Sequence, residues 1–332
     1  MTNGTNYCRL GVVGGGAWGT ALAQVAASNG DPVTLWAREP EVVDAINGDH
    51  VNPLYLAGVP LSPAVRAVNA YDVMADCDAL LIVTPAQHLG SVLGQLPDSD
   101  VPLVLCSKGI EAGSMRLMSE VAAAARPRAP VAVLSGPTFA HEVAGGQPTA
   151  ITLACEDDAV GARLCRSLAR PGFRPYQSND VIGAEIGGAV KNVLAIACGV
   201  VEGRGLGQNA RAAVIARGFA EMTRFGLARG ARLETLTGLS GLGDLVLTCS
   251  STSSRNFSLG KGLGEGKSAA SLLADRRTVA EGAATAPVLV AAARGAGVDM
   301  PIVEAVGRLL DAQAGVDEVV EALLARPLRP EA

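Results

Sequence analysis

The chain has 332 residues, of which 49% are hydrophobic and 18% charged, with a net charge of −5. At roughly 100–200 residues per domain, this length suggests about two domains with substantial cores and excludes a small disulfide-stapled scaffold. The composition argues against a disordered chain and a basic nucleic-acid binder, and 3% aromatics leave little from which to build base-stacking platforms. The 40 glycines point to backbone that is closely approached, or to tightly packed elements.

Seven cysteines, Cys8, Cys77, Cys106, Cys155, Cys165, Cys198 and Cys249, form no C-x-x-C pair and mostly sit in apolar stretches. They read as reduced, buried thiols of a cytoplasmic protein. Met1 to Tyr7 is polar and the apolar run that follows is short, so no secretory signal is expected. The longest strongly apolar run, 193–201, is about half of the ~20 residues that a membrane span needs. The three histidines, His50, His88 and His141, have no close His/Cys spacing, so no metal site is expected.

In chain order, strands are predicted at 10–13, 33–36, 79–83, 102–106, 131–134 and 150–153, near-continuously apolar and interleaved with helical patterns. That alternation predicts a parallel sheet covered by helices on both faces. From about residue 179 the strand-like runs give way to helical spacing at 182–201, 210–228, 283–294 and 316–325, with a Ser/Thr-rich loop at 250–254 and a Gly/Lys-rich loop at 260–267. The expected fold class is α/β: an N-terminal Rossmann-type doubly wound domain over 1–180 and an all-helical domain over 181–332.

Gly14-Gly15-Gly16-Ala17-Trp18-Gly19 has the G-x-G-x-x-G form between the first strand and a helix. Gly14 suits the tight turn, Gly16 the close approach of a pyrophosphate, and Gly19 the helix–strand contact. The helix N-terminus adds free N–H groups and partial positive charge. With Ala17 and Trp18, these residues are the candidate cofactor loop. The second strand ends in Trp36-Ala37-Arg38-Glu39. Arg38 favours a 2′-phosphate, hence NADP, while Glu39 keeps NAD open, and Arg38 also reads as a plain solvated charge.

Lys191 is the only charged residue between Gly187 and Val201 on an otherwise apolar, small-residue helix, where desolvation would lower its pKa into the range of a proton-transfer group. Gly187, Gly188 and Ala189 read as leaving room for a ligand; a snorkelling surface lysine is the bland alternative. Asn192 offers a neutral hydrogen bond. Lys108 follows a buried strand at the carboxyl edge, where such sheets bind ligands. Pro137 is placed to open a helix facing the site. Asp244 stands four residues before Thr248, so on a helix they share a face, and Asp244 also suits an N-cap. Arg255, with Ser254 and Asn256, offers the donors that a phosphate monoester wants.

These segments, Gly14 to Ala23, Cys106-Ser107-Lys108-Gly109-Ile110-Glu111, Leu134-Ser135-Gly136-Pro137-Thr138-Phe139-Ala140, Gly187 to Val193, Gly241-Leu242-Gly243-Asp244-Leu245 and Ser254-Arg255-Asn256, occur in the order of a known signature set. Together the chain resembles the bacterial-type NAD(P)-dependent glycerol-3-phosphate dehydrogenases over essentially its whole length. The resemblance implies reversible NADPH- or NADH-dependent reduction of dihydroxyacetone phosphate to sn-glycerol 3-phosphate for phospholipid synthesis, in a cytoplasmic homodimer. It implies Lys191 as proton donor and acceptor, with Lys108 and Asp244 also catalytic. Gly136, Thr138, Thr248, Ser254, Arg255 and Asn256 become substrate contacts beside Lys108, Lys191, Asn192 and Asp244. Ala140, Val279 and Glu281, with Lys108 and Arg255, become cofactor contacts. Two other readings keep the architecture: a ketopantoate reductase or 6-phosphogluconate-like dehydrogenase, against which Lys108 with Ser254-Arg255-Asn256 argues, and a non-catalytic dinucleotide sensor, which would not need Lys191.

Overall fold

The computed structural model describes residues 6–274 and 280–327. Its strands are β1 Leu10–Val13, β2 Val33–Trp36, β3 Val65–Val68, β4 Ala79–Ile82, β5 Leu103–Leu105, β6 Val131–Ser135, β7 Thr149–Cys155 and β8 Phe173–Ser178. They form one sheet in the order β3-β2-β1-β4-β5-β6-β7-β8. Six strands lie where the sequence places them. The other two, β3 and β8, are the sheet's edges: β3 alternates buried Val65 and Ala67 with exposed Arg66, and β8 carries Arg174, Pro175 and Gln177. Neither has the continuous apolar run of a doubly covered strand.

The alternation predicts a parallel sheet, and the structure departs from it at one pairing: β6 and β7 run antiparallel, with Ala132 opposite Cys155. The link between them carries only the five-residue helix Ala140–Ala144. At ~1.5 Å per residue, such a helix spans less than half of a five-residue strand at ~3.3 Å each, too little to return the chain to the sheet's other end.

Helices α1 Ala17–Ala26, α2 Pro40–Asp49, α3 Leu89–Gln95, α4 Met118–Ala125, α5 Ala140–Ala144 and α6 Asp158–Leu168 cover the sheet. Leu22, Leu35 and Ile46 pack on one face, and Ile82, Leu89 and Leu105 on the other. The helical half comprises α7 Val181–Gly203, α8 Gly207–Ala228, α9 Leu233–Thr237, a π-helical turn Leu239–Gly243, α10 Asp244–Thr248, α11 Arg255–Gly264, α12 Ala269–Leu272, α13 Glu281–Gly295, α14 Pro301–Leu310 and α15 Val316–Leu324.

The axis of this half is α7, surrounded by α8, α10, α11 and α13. By length and composition it is apolar enough to cross a membrane, but 89% of its apolar window is buried inside the protein. The uninterrupted apolar run understates it, because its glycines and alanines extend the same buried helix. Two buried carboxylates fasten its surroundings. Glu185 accepts from Ser119 N and Oγ (2.7 and 2.6 Å) at the start of α4, and Glu221 accepts from Ile302 N and Val303 N at the start of α14. Burial pushes each carboxyl up to about 7, against the pull of those donors.

The Gly/Lys-rich segment 260–267 is not a loop; most of it is the second half of α11. Its glycines let α11 lie against the backbone of α7. A Cβ at Gly260 would stand 2.0 Å from Ile196 O, and one at Gly199 would stand 2.1 Å from Phe257 O. The glycines thus serve helix–helix approach rather than a turn.

Five of the seven thiols are buried as expected, but Cys165 is half-buried and Cys8 is exposed; all are unpaired. Burial pushes the Cys106 thiol up to about 12, which keeps it protonated and unreactive.

Gly199→Ala is expected to destabilise the protein by about 1–3 kcal/mol through this overpacking. Gly94→Ala, in α3 with open space around the added carbon, should be neutral or slightly stabilising. Denaturant unfolding of both variants checks it; equal effects would contradict the close approach.

Candidate active site

The loop from β1 to α1 has the geometry that a dinucleotide phosphate requires. Gly14 has φ +131°, in a region L side chains avoid, and a Cβ at Gly19 would stand 1.8 Å from Gly14 O. Gly16 has open space where a side chain would project, and as N-cap of α1 it provides no side-chain cap for the first-turn N–H groups, including those of Ala17 and Trp18. This cradle fits a pyrophosphate. Gly15 carries a constraint that the motif alone does not reveal, since its Cβ would meet that of Ala37 at 2.4 Å. The end of β2 therefore lies against the loop, and Arg38 extends from it with its side chain 80% exposed.

The centre of the site is Asp244. It is fully buried, and its two oxygens take two lysines: Lys191 Nζ donates to Oδ1 at 2.7 Å and Lys108 Nζ to Oδ2 at 2.6 Å. Lys191 Nζ also lies 3.0 Å from Thr248 Oγ1, which donates to Asp244 Oδ1 at 3.2 Å, so Asp244 and Thr248 do share a helix face. Asp244 is not an N-cap; it is the first residue of α10 and its carboxylate serves the lysines.

Burial lowers the Lys191 pKa to about 8, Asp244 opposing the shift and Lys108 adding to it. Burial pushes the Asp244 carboxyl up, but the two ammonium groups outweigh it and hold it below the ordinary range. Lys191 is buried in mid-helix, so it does not snorkel.

Gly187 and Gly188 make this constellation possible, though not by leaving ligand space. A Cβ at Gly187 would stand 2.4 Å from Ser240 O, and one at Gly188 would stand 2.9 Å from Ser135 Oγ and 3.4 Å from Lys108 Cδ. The room belongs to the π-helical turn that delivers Asp244 and to the Lys108 stem.

Around this centre, Asn256 Nδ2 donates to Asn192 Oδ1 at 3.0 Å, while Asn256 Oδ1 accepts from Gly282 N at 2.9 Å. The pair ties α7, α11 and the start of α13 together. The start of α13 places Glu281, whose carboxyl burial raises while Arg255, Lys108 and Lys191 oppose the rise. Arg255 is exposed at the first turn of α11, so it and Asn256 lie on a helix rather than in a loop. Ser254 is that helix's N-cap, its hydroxyl accepting from Phe257 N at 3.2 Å. Three cations, Lys108, Lys191 and Arg255, thus act on two carboxylates, Asp244 and Glu281.

Gly136, Thr138 and Ala140 follow β6. Gly136 packs on Ile151, whose Cα would stand 3.1 Å from an added Cβ, and Thr138 Oγ1 donates to Gly136 O. Pro137 does not open a helix; α5 starts three residues later with Phe139 as N-cap. The proline instead lies beside Gly243, 3.7 Å from where a Cβ would be. Val279 lies outside the described residues. Ser135 escaped sequence reasoning because its strand reads as core: its buried Oγ has no partner and abuts Gly188.

A sheet domain with a dinucleotide cradle, joined to a helical domain that completes a buried lysine pair, defines a nicotinamide-dependent oxidoreductase. Residues 9–161 match the family model for the NAD-dependent glycerol-3-phosphate dehydrogenase N-terminus, and residues 180–321 match that for its C-terminus. The chain is 63% identical over 327 residues to the glycerol-3-phosphate dehydrogenase (NAD(P)+) 1 of Sphingopyxis alaskensis, covering 98% of this chain and 99% of the relative. It is 65% identical over 323 residues to the corresponding protein of Novosphingobium aromaticivorans, covering 97% and 98%. A solved structure of glycerol-3-phosphate dehydrogenase from Coxiella burnetii superposes with a TM-score of 0.91 at 38% identity, covering 96% of this chain and 99% of that one. The chain belongs to the NAD-dependent glycerol-3-phosphate dehydrogenase family.

Asp244→Ala leaves the buried Lys191 and the partly buried Lys108 ammonium groups without their shared counter-charge. Loss of a buried ion-pair partner costs about 3–5 kcal/mol. Denaturant unfolding at neutral pH should show a loss on that scale; a loss under about 1 kcal/mol would contradict the arrangement.

Proposed function

We propose that this site reduces dihydroxyacetone phosphate to sn-glycerol 3-phosphate, and reverses that reaction, with Lys191 as proton donor and acceptor. The observation that carries this reading is the buried Lys191–Asp244–Lys108 constellation. The reduced nicotinamide of NADPH or NADH, when bound, supplies the hydride. Lys191, protonated below about pH 8, donates its Nζ proton to the carbonyl oxygen and retakes one in the reverse direction. Asp244 keeps that ammonium oriented and compatible with Lys108, whose own ammonium lies beside the reacting oxygen and stabilises charge developing there. Asn192 orients a substrate hydroxyl. Arg255, at the N-terminal turn of α11, binds the phosphate with that helix's N–H groups, helped by the excess of cations. Gly136 and Thr138 contact the substrate, and Ala140 and Glu281 contact the cofactor.

The reading places the domain boundary at 180/181, where Asp180 caps α7. It includes a cytoplasmic enzyme supplying phospholipid synthesis. The seven unpaired thiols suit a reducing compartment, and the product has the phosphorylated glycerol backbone of a glycerophospholipid. It also includes a homodimer formed through the helical half, where α8 leaves Leu227 50% exposed. Light scattering should give twice the chain mass; a monomer would remove that part.

NADPH or NADH oxidation should be fast with dihydroxyacetone phosphate and slow with unphosphorylated dihydroxyacetone; equal rates would remove the phosphate-ester substrate. Ketone reduction should fall as pH rises through about 8, where Lys191 loses its proton, while alcohol oxidation rises over the same interval. Lys191→Ala should lower turnover by about 10²–10⁴ with cofactor affinity kept. Near-normal turnover, or parallel pH profiles in both directions, would take the role from Lys191. Arg255→Ala should weaken dihydroxyacetone phosphate at least about tenfold more than dihydroxyacetone, the scale of a charge-assisted hydrogen bond. Equal losses on the two ketones would place the phosphate elsewhere.

A further inference from the structure

Between α2 and β3 lies a short turn whose side chains reach back to both ends of the dinucleotide cradle. His50 enters it with φ +54°, and it closes with Leu56 N donating to Asn52 O at 2.9 Å. Asn52 is fully buried and both of its side-chain polar atoms are engaged. Its Nδ2 donates to Gly15 O at 2.9 Å and Thr20 Oγ1 at 2.8 Å, and its Oδ1 accepts from Tyr55 N at 3.2 Å. The phosphate loop's carbonyl is thereby held from behind. Three residues on, Tyr55 OH donates to Glu39 Oε1 at 3.1 Å. The same oxygen accepts from Arg38 Nε at 3.0 Å and Nη2 at 2.7 Å. All three contacts converge on Oε1, so Glu39 Oε2 keeps its acceptor capacity among the described residues.

We infer that Tyr55 is a specificity-determining residue that biases the site toward NADH by holding Glu39 on Arg38 at the end of β2. This rests on the dinucleotide reading above. A 2′-phosphate needs Arg38's donors, and a carboxylate pinned between Arg38 and Tyr55 competes for those donors and repels the added negative charge. A 2′-hydroxyl instead finds an acceptor in Glu39 Oε2. Arg38 neutralises the carboxylate enough for NADPH to be used as well, so the pair reads both cofactors and Tyr55 sets the balance. Asn52 makes this possible by anchoring the turn to Gly15, which fixes where the Tyr55 hydroxyl stands.

The test is the dissociation constant of NADPH and of NADH, measured by nicotinamide fluorescence on the full-length protein, for the unsubstituted chain, Tyr55→Phe and Glu39→Gln. Tyr55→Phe keeps the ring and removes one hydrogen bond to a charged group, so the preference for NADPH over NADH should rise about 3- to 10-fold. Glu39→Gln removes the charge and should raise it further. An unchanged preference in Tyr55→Phe, or equal weakening of both cofactors, overturns the assignment. Failure of the unsubstituted chain to bind either cofactor overturns the dinucleotide reading and this inference together.

Discussion

One buried carboxylate, shared by two lysines from different parts of the chain, is the constraint on which the rest depends. Asp244 comes from the helical half, Lys191 from the axis of that half, and Lys108 from the carboxyl edge of the sheet. Burial alone would drive Lys191 toward the neutral amine, and a carboxylate alone would hold it as a permanent ammonium. The opposed pulls of burial, Asp244 and Lys108 bring it to about 8, where it can both give and take a proton. The same cluster keeps a net positive charge, which suits a phosphorylated substrate.

Holding three charged groups together in the interior requires backbone at unusually short range, and the glycines supply it. Gly187 receives the carbonyl of Ser240, and Gly241 receives that of Leu236, where an added Cβ would be at 1.9 Å. The first contact seats the π-helical turn on α7 four residues before Lys191 and the second packs that turn on α9, so Asp244 arrives opposite the lysine. The Gly199 and Gly260 contacts seat α11 on α7 in the same way, and α11 in turn carries Arg255 and Asn256. Several of the chain's glycines thus stand where α7 meets α11 and the π-helical turn in backbone contact.

Much of this was legible in the sequence because it follows from local pattern. The internal strands are continuous apolar runs, the phosphate loop has fixed glycine offsets, and Lys191 stands out as the one charge between Gly187 and Val201. The edge strands β3 and β8 were not legible, since half of each faces solvent. The antiparallel β6–β7 pairing depends on the length of the connecting helix, and the segment 260–267 read as a loop because glycine serves turns and close packing alike. Which partner each candidate would take was also hidden. Asn256 bound to Asn192 and Gly282, and Asp244 between two lysines, are contacts between residues far apart in the chain.

The most direct test of the account is the side-chain titration of Lys191, followed by NMR of the ¹⁵Nζ resonance in the uniformly lysine-labelled protein and assigned by its absence in Lys191→Arg. A midpoint near 8 is predicted. A midpoint at the ordinary lysine value of about 10.4 would show that burial does not prevail over Asp244, and would contradict Lys191 as the group that moves the proton.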